Sequence, residues 1–183
     1  MSVSKWDFDL SHSSIGFHIR HLMVSKVHGR FTSWNGILEL DESDLTKSRF
    51  EVTIDPASID TKEEKRDAHL RSPDFFDVEK YPAITFKSTR IEKDGDDGFK
   101  VTGDITIHGI TKEIVLDVEG SGETVKDPWG GTRTGFSAKT KLNRKDFGLH
   151  WNLALEAGGF VVGDKLDVSI EIEAIKAAAA VAA

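Results

Sequence analysis

A chain of 183 residues with 38% hydrophobic content and 11 Phe is long enough for one sizeable core and too apolar for intrinsic disorder. Its formal charge of −7 argues against nucleic acid or an anionic membrane as the main partner, because both require a basic face. The absence of cysteine excludes disulfides, thiolate metal sites and a cysteine nucleophile.

The first residues, from Met1 to Trp6, run straight into strand-like sequence. They show neither an apolar core of about 7–15 residues nor a small-residue cleavage site. The chain as written is therefore expected in the cytoplasm, or in the periplasm if it is the mature part of a longer protein. No stretch approaches the roughly 18 apolar residues of a membrane-spanning helix.

Period-2 alternation dominates, and strands are predicted over residues 6–10, 14–21, 30–41, 49–55, 84–90, 99–108, 113–119, 134–142 and 166–173. In the second strand Ile15, Phe17 and Ile19 share a face. In the third, Phe31 and Ile37 on one face oppose Trp34, Leu38 and Leu40 on the other, which predicts a strand covered on both sides. Phe50, Val52 and Ile54 alternate cleanly, as do Ile105 and Ile107, Ile114 and Leu116, and Val168, Ile170 and Ile172. Residues 84–90 and 134–142 are weaker examples. Turn signals such as Asp97-Gly98, His108-Gly109 and Trp129-Gly130-Gly131 separate these runs.

Residues 56–82 interrupt this pattern. They contain a charged run, 61–71, that predicts a surface helix, then a short turn near residues 73–77. There Phe75 and Phe76 lie between acidic residues, directly before a proline-punctuated strand entry. They look like a plug over an apolar space, although an ordinary core role fits equally. A long structured connection between strands is usually a functional cap. The fold expected is all-β and antiparallel, either a closed barrel of about eight strands or a sandwich.

Few constellations point to catalysis. His18 and His21 face opposite sides of a strand, and neither they nor His28 have a carboxylate at a ligand-like offset, so no metal site is expected. Gly120-Ser121-Gly122 reads as a turn rather than a nucleophile elbow. Lys26, Arg30, Arg144 and Lys145 are the notable cations. Arg144 either pairs with Asp146 to fix a loop around a buried Phe147, or faces a barrel mouth and meets an anionic or polar head group.

Several segments together resemble the YceI-like family of lipocalin-like lipid-binding proteins. They are His21-Leu22-Met23-Val24-Ser25-Lys26-Val27 with Gly29 and Phe31; Ser72 to Asp77 with Tyr81 to Phe86; Gly103 to Thr111; Arg144-Lys145-Asp146-Phe147-Gly148; and Val162-Gly163-Asp164. The resemblance implies an eight-stranded antiparallel barrel over residues 1–176 with a short helical cap, followed by an alanine-rich tail, 177–183. It implies a long tunnel for a polyisoprenoid or another long-chain amphiphile, such as a prenyl quinone, prenyl phosphate or fatty amide. It implies no cofactor and no catalytic activity. Many members carry a secretion signal, and some are dimeric.

On this reading the tunnel wall comprises Phe17, Ile19, His21, Met23, Phe31, Phe50, Val52, Ile54, Phe75, Phe76, Phe86, Ile105, Ile107, Ile114, Leu116, Phe136 and Phe147. Lys26, Arg30 and Arg144 are the head-group candidates. The alternatives are a lipid- or quinone-modifying enzyme using His21 or His108 as acid and base, and a filled barrel that recognises a protein partner or serves a stress response.

Overall fold

The computed structural model describes residues 3–155 and 159–178; the end of the alanine-rich tail lies outside them. Eight antiparallel strands close into a ring. In ring order they are β11 (Thr132–Asn143), β9 (Ile110–Glu119), β8 (Gly98–Ile107), β7 (Ile84–Lys93), β5 (Arg49–Ile54), β4 (Trp34–Asp41), β1 (Val3–Phe8) and β12 (Val162–Lys176). The ring closes where β12 pairs with β11 from Arg133↔Ile175 to Asn143↔Lys165.

The 15-residue β12 is the spine of the molecule. Its second edge is shared: Ala174–Lys176 pairs with β1, while Val162–Glu171 pairs with β2 (Ser14–His21). β3 (Ser25–Phe31) and the two-residue β6 (Ile59–Asp60) extend that side. Thus β1 completes one end of the barrel, and the β2–β3–β6 flap widens the other. A short β10 (Val125–Lys126) adds to β11.

Alternation places the core. Phe50, Val52 and Ile54 face inward on β5, and Val101, Ile105 and Ile107 do so on β8. On β7, Ile84 and Phe86 face inward, and a bulge between Ser88 and Arg90 then returns Ile91 to the inside. That extra residue explains the weak alternation over 84–90.

The strand predicted over 30–41 is two strands, β3 and β4, joined through Thr32 and Ser33. Phe31 belongs to the first. Within β4, Trp34, Leu38 and Leu40 are buried, whereas Ile37 is exposed, so this strand is not covered on both sides. The rest of β3 lacked a legible start. Its hairpin turn uses Leu22 and Met23 at φ 52° and 61°, without the glycine or asparagine that usually marks such a turn.

The cap is α1 (Glu64–Arg71). Glu63 caps it by accepting from the backbone N–H groups of Lys65 and Arg66. The helix has no apolar stripe and is held by polar anchors. The buried Asp67 carboxylate accepts from the Thr61 backbone N–H and hydroxyl, and Arg66 Nε donates to Thr61 Oγ1 at 2.8 Å. Tight turns follow, with Phe75 N–H donating to Ser72 O and Phe76 N–H to Leu70 O. They wind both phenylalanines under the helix.

Candidate functional site

Among the described residues two apolar cavities stand out in the barrel. The upper one, of about 450 Å³, lies under α1 between the flap and the barrel wall. The lower one, of about 90 Å³, lies at the end completed by β1 and is lined by Leu38, Phe50, Val101, Leu116, Phe136 and Ile170 among others. Strand alternation orders the layers between them. On β5, Phe50 lines the lower cavity, Ile54 the upper one, and Val52 stands between. Phe86, the register partner of Val52, also lines neither. Gly103 makes room for it: a Cβ there would come within 2.5 Å of the Phe86 ring. Val52, Phe86 and Ile114 thus form a waist.

Aromatic contacts shape the upper cavity. Phe17 and Phe31 pack with ring centroids 5.8 Å apart, and Phe76 meets Phe31 edge-on at 5.9 Å. At the cap, His69, Phe75 and Trp151 form a cluster with centroid separations of 4.6 to 5.3 Å. His69 Nε2 lies 2.8 Å from Asp74 Oδ2.

Arg144 anchors the wall at the foot of the loop that carries Trp151. The arginine residue is 2% exposed. Nε donates to Gly163 O at 2.8 Å, and Nη1 donates to Leu149 O at 2.7 Å and Trp151 O at 2.9 Å. Its charged neighbour is Asp164, 3.7 Å from Nη2, rather than the expected Asp146. At that distance the contact is an ion pair and not a hydrogen bond, so Nη2 is a buried donor without an acceptor. Burial pushes the guanidinium down from its ordinary pKa, and Asp164 partly offsets this. Phe147 is buried as expected.

The predicted wall residues divide by position. Phe17, Ile19, His21, Phe31, Ile54, Phe75, Phe76, Ile105, Ile107 and Phe147 line the upper cavity, with Arg144. Phe50, Leu116 and Phe136 line the lower one. Val52, Phe86 and Ile114 form the waist, and Met23 is 64% exposed at the flap tip. Lys26 and Arg30 lie on the outward face of β3, opposite inward Val27 and Phe31, and line neither cavity. Arg30 instead pairs with Asp60 at 3.5 Å. His108 is also outside both linings, packed at a tilt against Tyr81 with Nδ1 3.1 Å from Phe147 O.

Sequence reasoning missed Arg20, Lys65, Arg66, His69, Leu149 and Trp151, all of which line the upper cavity. The last two follow the Arg144 segment closely, in a loop tied down by the carbonyl contacts of Arg144 and by Asn152, which donates to Val162 O and accepts from Val162 N–H. His18 points outward, with Nε2 2.9 Å from Asp167 Oδ2. One cluster outside the cavities brings possible ligand atoms of Asp9, His12 and Glu173 within 4.8 Å of one another. Arg133 already bridges two of them, donating to Asp9 at 2.7 Å and to Glu173 at 2.6 Å.

A closed eight-stranded barrel with an apolar cavity beneath a helical cap is an architecture with room for one small greasy ligand. A family model described as a YceI-like domain matches residues 6–174, and the chain belongs to that family. A UPF0312 protein of Photorhabdus laumondii is 41% identical over 172 residues, spanning 94% of this chain and 85% of that protein. The solved YCEI protein of Campylobacter jejuni superposes with a TM-score of 0.73 at 33% identity, covering 87% of this chain and 90% of that one. A polyisoprenoid binding domain from Saccharophagus degradans, implicated in plant cell wall breakdown, superposes with a TM-score of 0.66 at 16% identity. That comparison covers 95% of this chain and 99% of the other, and at such identity the likeness is one of fold.

Proposed function

We propose that the protein binds a polyisoprenoid or other long-chain amphiphile without turning it over, and carries or sequesters it. The observation that carries this reading is the upper cavity of about 450 Å³, walled by aliphatic and aromatic side chains beneath α1. A methylene fills about the volume of a liquid water molecule, about 30 Å³, so this space takes on the order of 15 carbons. At ~0.8 kcal/mol per CH₂, such a chain contributes on the order of 10 kcal/mol gross. Ordering costs reduce that figure. An apolar wall discriminates poorly between chains that differ by one or two carbons, so a broad range of tails fits the reading. The similarity in fold to a polyisoprenoid binding domain supports the same class of ligand.

Organic extraction of the gently purified, folded protein followed by mass spectrometry tests this. A long-chain species at near-stoichiometric yield is the expected result. No extractable species, together with no uptake of an added prenyl quinone or fatty acid, would overturn the reading in favour of a barrel that serves a protein partner.

A further inference from the structure

The ionisable residues that line the upper cavity are Lys65, Arg66 and Arg144, with His21 and His69, and Arg20, whose side chain lies on the outer face of β2 beside its register partner Lys26. No Asp or Glu joins them among the described residues. The bias runs against the chain as a whole, in which 31 acidic residues outnumber 24 basic ones. Lys65 and Arg66 come from α1 and Arg144 from the turn after β11, so the cations approach from separate elements.

These cations are short of partners. Among the described residues no carboxylate lies within ion-pair distance of Lys65 or Arg66. Arg66 spends Nε and Nη2 on the Thr61 hydroxyl and carbonyl, which leaves Nη1 uncommitted. Arg144 carries the unpaired buried Nη2. The acid nearest to it, Asp164, is 44% exposed and shared with Lys145 at 3.3 Å. Lys65 is exposed. Long cationic side chains lay their methylene stems along an apolar wall and keep the charge at its wet edge. The result is a greasy interior with a positive rim.

We infer that the upper cavity selects amphiphiles with an anionic head, a carboxylate or a phosphate, over neutral ones of equal chain length. The inference rests on the binding reading above and narrows its ligand class. Anionic oxygens accept charge-assisted hydrogen bonds from guanidinium and ammonium groups, which a neutral amide or alcohol accepts more weakly. The outward cations Arg20, Lys26 and Arg30 take no part.

The test is competitive displacement of a fluorescent fatty acid by hexadecanoic acid, hexadecyl phosphate, hexadecanamide and hexadecanol at neutral pH and low salt. The two anions are expected to bind on the order of tenfold more tightly than the neutral pair, with the gap narrowing as salt is added. The variant K65Q removes an exposed charge that holds no side-chain partner among the described residues, so its fold is expected to persist. It should lose most of the preference while keeping affinity for the amide; the outward double variant K26Q/R30Q should keep both. Equal affinity for acid and amide in the folded wild-type protein would overturn the inference and leave the binding reading standing. Failure of all four compounds to bind would overturn the binding reading itself. Carboxylate and phosphate heads are separated by the same data, through whichever binds more tightly.

Discussion

Arg144 is costly to bury and is retained by three backbone carbonyls. Lysine at this position keeps the charge but lacks the planar fork that reaches Gly163, Leu149 and Trp151 together. Hydrogen bonds to charged groups contribute about 1.5–3 kcal/mol each, so R144K is expected to lose roughly 3 kcal/mol of stability. Urea denaturation checks this, and wild-type stability in R144K would remove the anchoring role. His12 behaves differently because it is exposed. Its pKa is raised above the ordinary 6.5, chiefly by the hydrogen bond to Asp9, then by the charges of Asp9 and Glu173, against desolvation and nearby Arg133. A native pKa above the unfolded value stabilises the fold fully below about 6.5, and this contribution fades as pH rises through the native value. The melting temperature of H12N should therefore lie furthest below wild type in mildly acidic buffer and converge with it in alkaline buffer. A pH-independent difference would count against the ion pair.

At the scale of elements, the β2–β3 hairpin carries local strain. Two consecutive non-glycine residues at positive φ, Leu22 and Met23, build its turn. Each such residue stores of the order of 1 kcal/mol or more, which surrounding contacts must offset. Asn-Gly adopts this turn readily. L22N/M23G is expected to raise stability by about 1 kcal/mol in thermal denaturation. A decrease would show that side-chain packing at the tip outweighs the backbone strain. The α1 cap shows the opposite balance: its backbone is regular, but it buries little apolar surface and depends on Asp67 and Arg66 gripping Thr61. A surface helix of this kind is held by a few polar contacts rather than by a broad packed face.

For the whole molecule, a waist stands between the two cavities. Phe86 and Val52 separate the 450 Å³ and 90 Å³ cavities. Truncating Phe86 to alanine opens a passage between them at a stability cost of about 3–5 kcal/mol. If the waist limits chain length, F86A should shift the optimum in a series of saturated fatty acids toward longer chains, measured by competitive displacement. An unchanged length profile in a folded F86A protein would show that tails end above the waist or pass it already.

The strand pattern was readable because antiparallel pairing puts every second side chain on the same side of the wall. That rule alone identifies Phe17, Phe50, Ile54, Ile105 and Leu116 as inward residues; closure of eight strands is one of two ways to bury such a face, a sandwich being the other, and the pairing of β11 with β12 decides for the barrel. Alternation gives the face of a strand, but not the height of a residue along the barrel. Hence Phe50, Val52 and Ile54, indistinguishable by pattern, fall to the lower cavity, the waist and the upper cavity. Nor does local sequence tell which cations meet the interior. Lys26 and Arg30 sit beside inward residues yet face outward, whereas Arg66 reaches the cavity from a helix whose docking rests on Thr61. Strand identity is a local, period-2 property of the chain. The cavity, its waist and its positive rim arise from contacts between residues far apart in sequence, and these exist only once β12, the flap and α1 have come together.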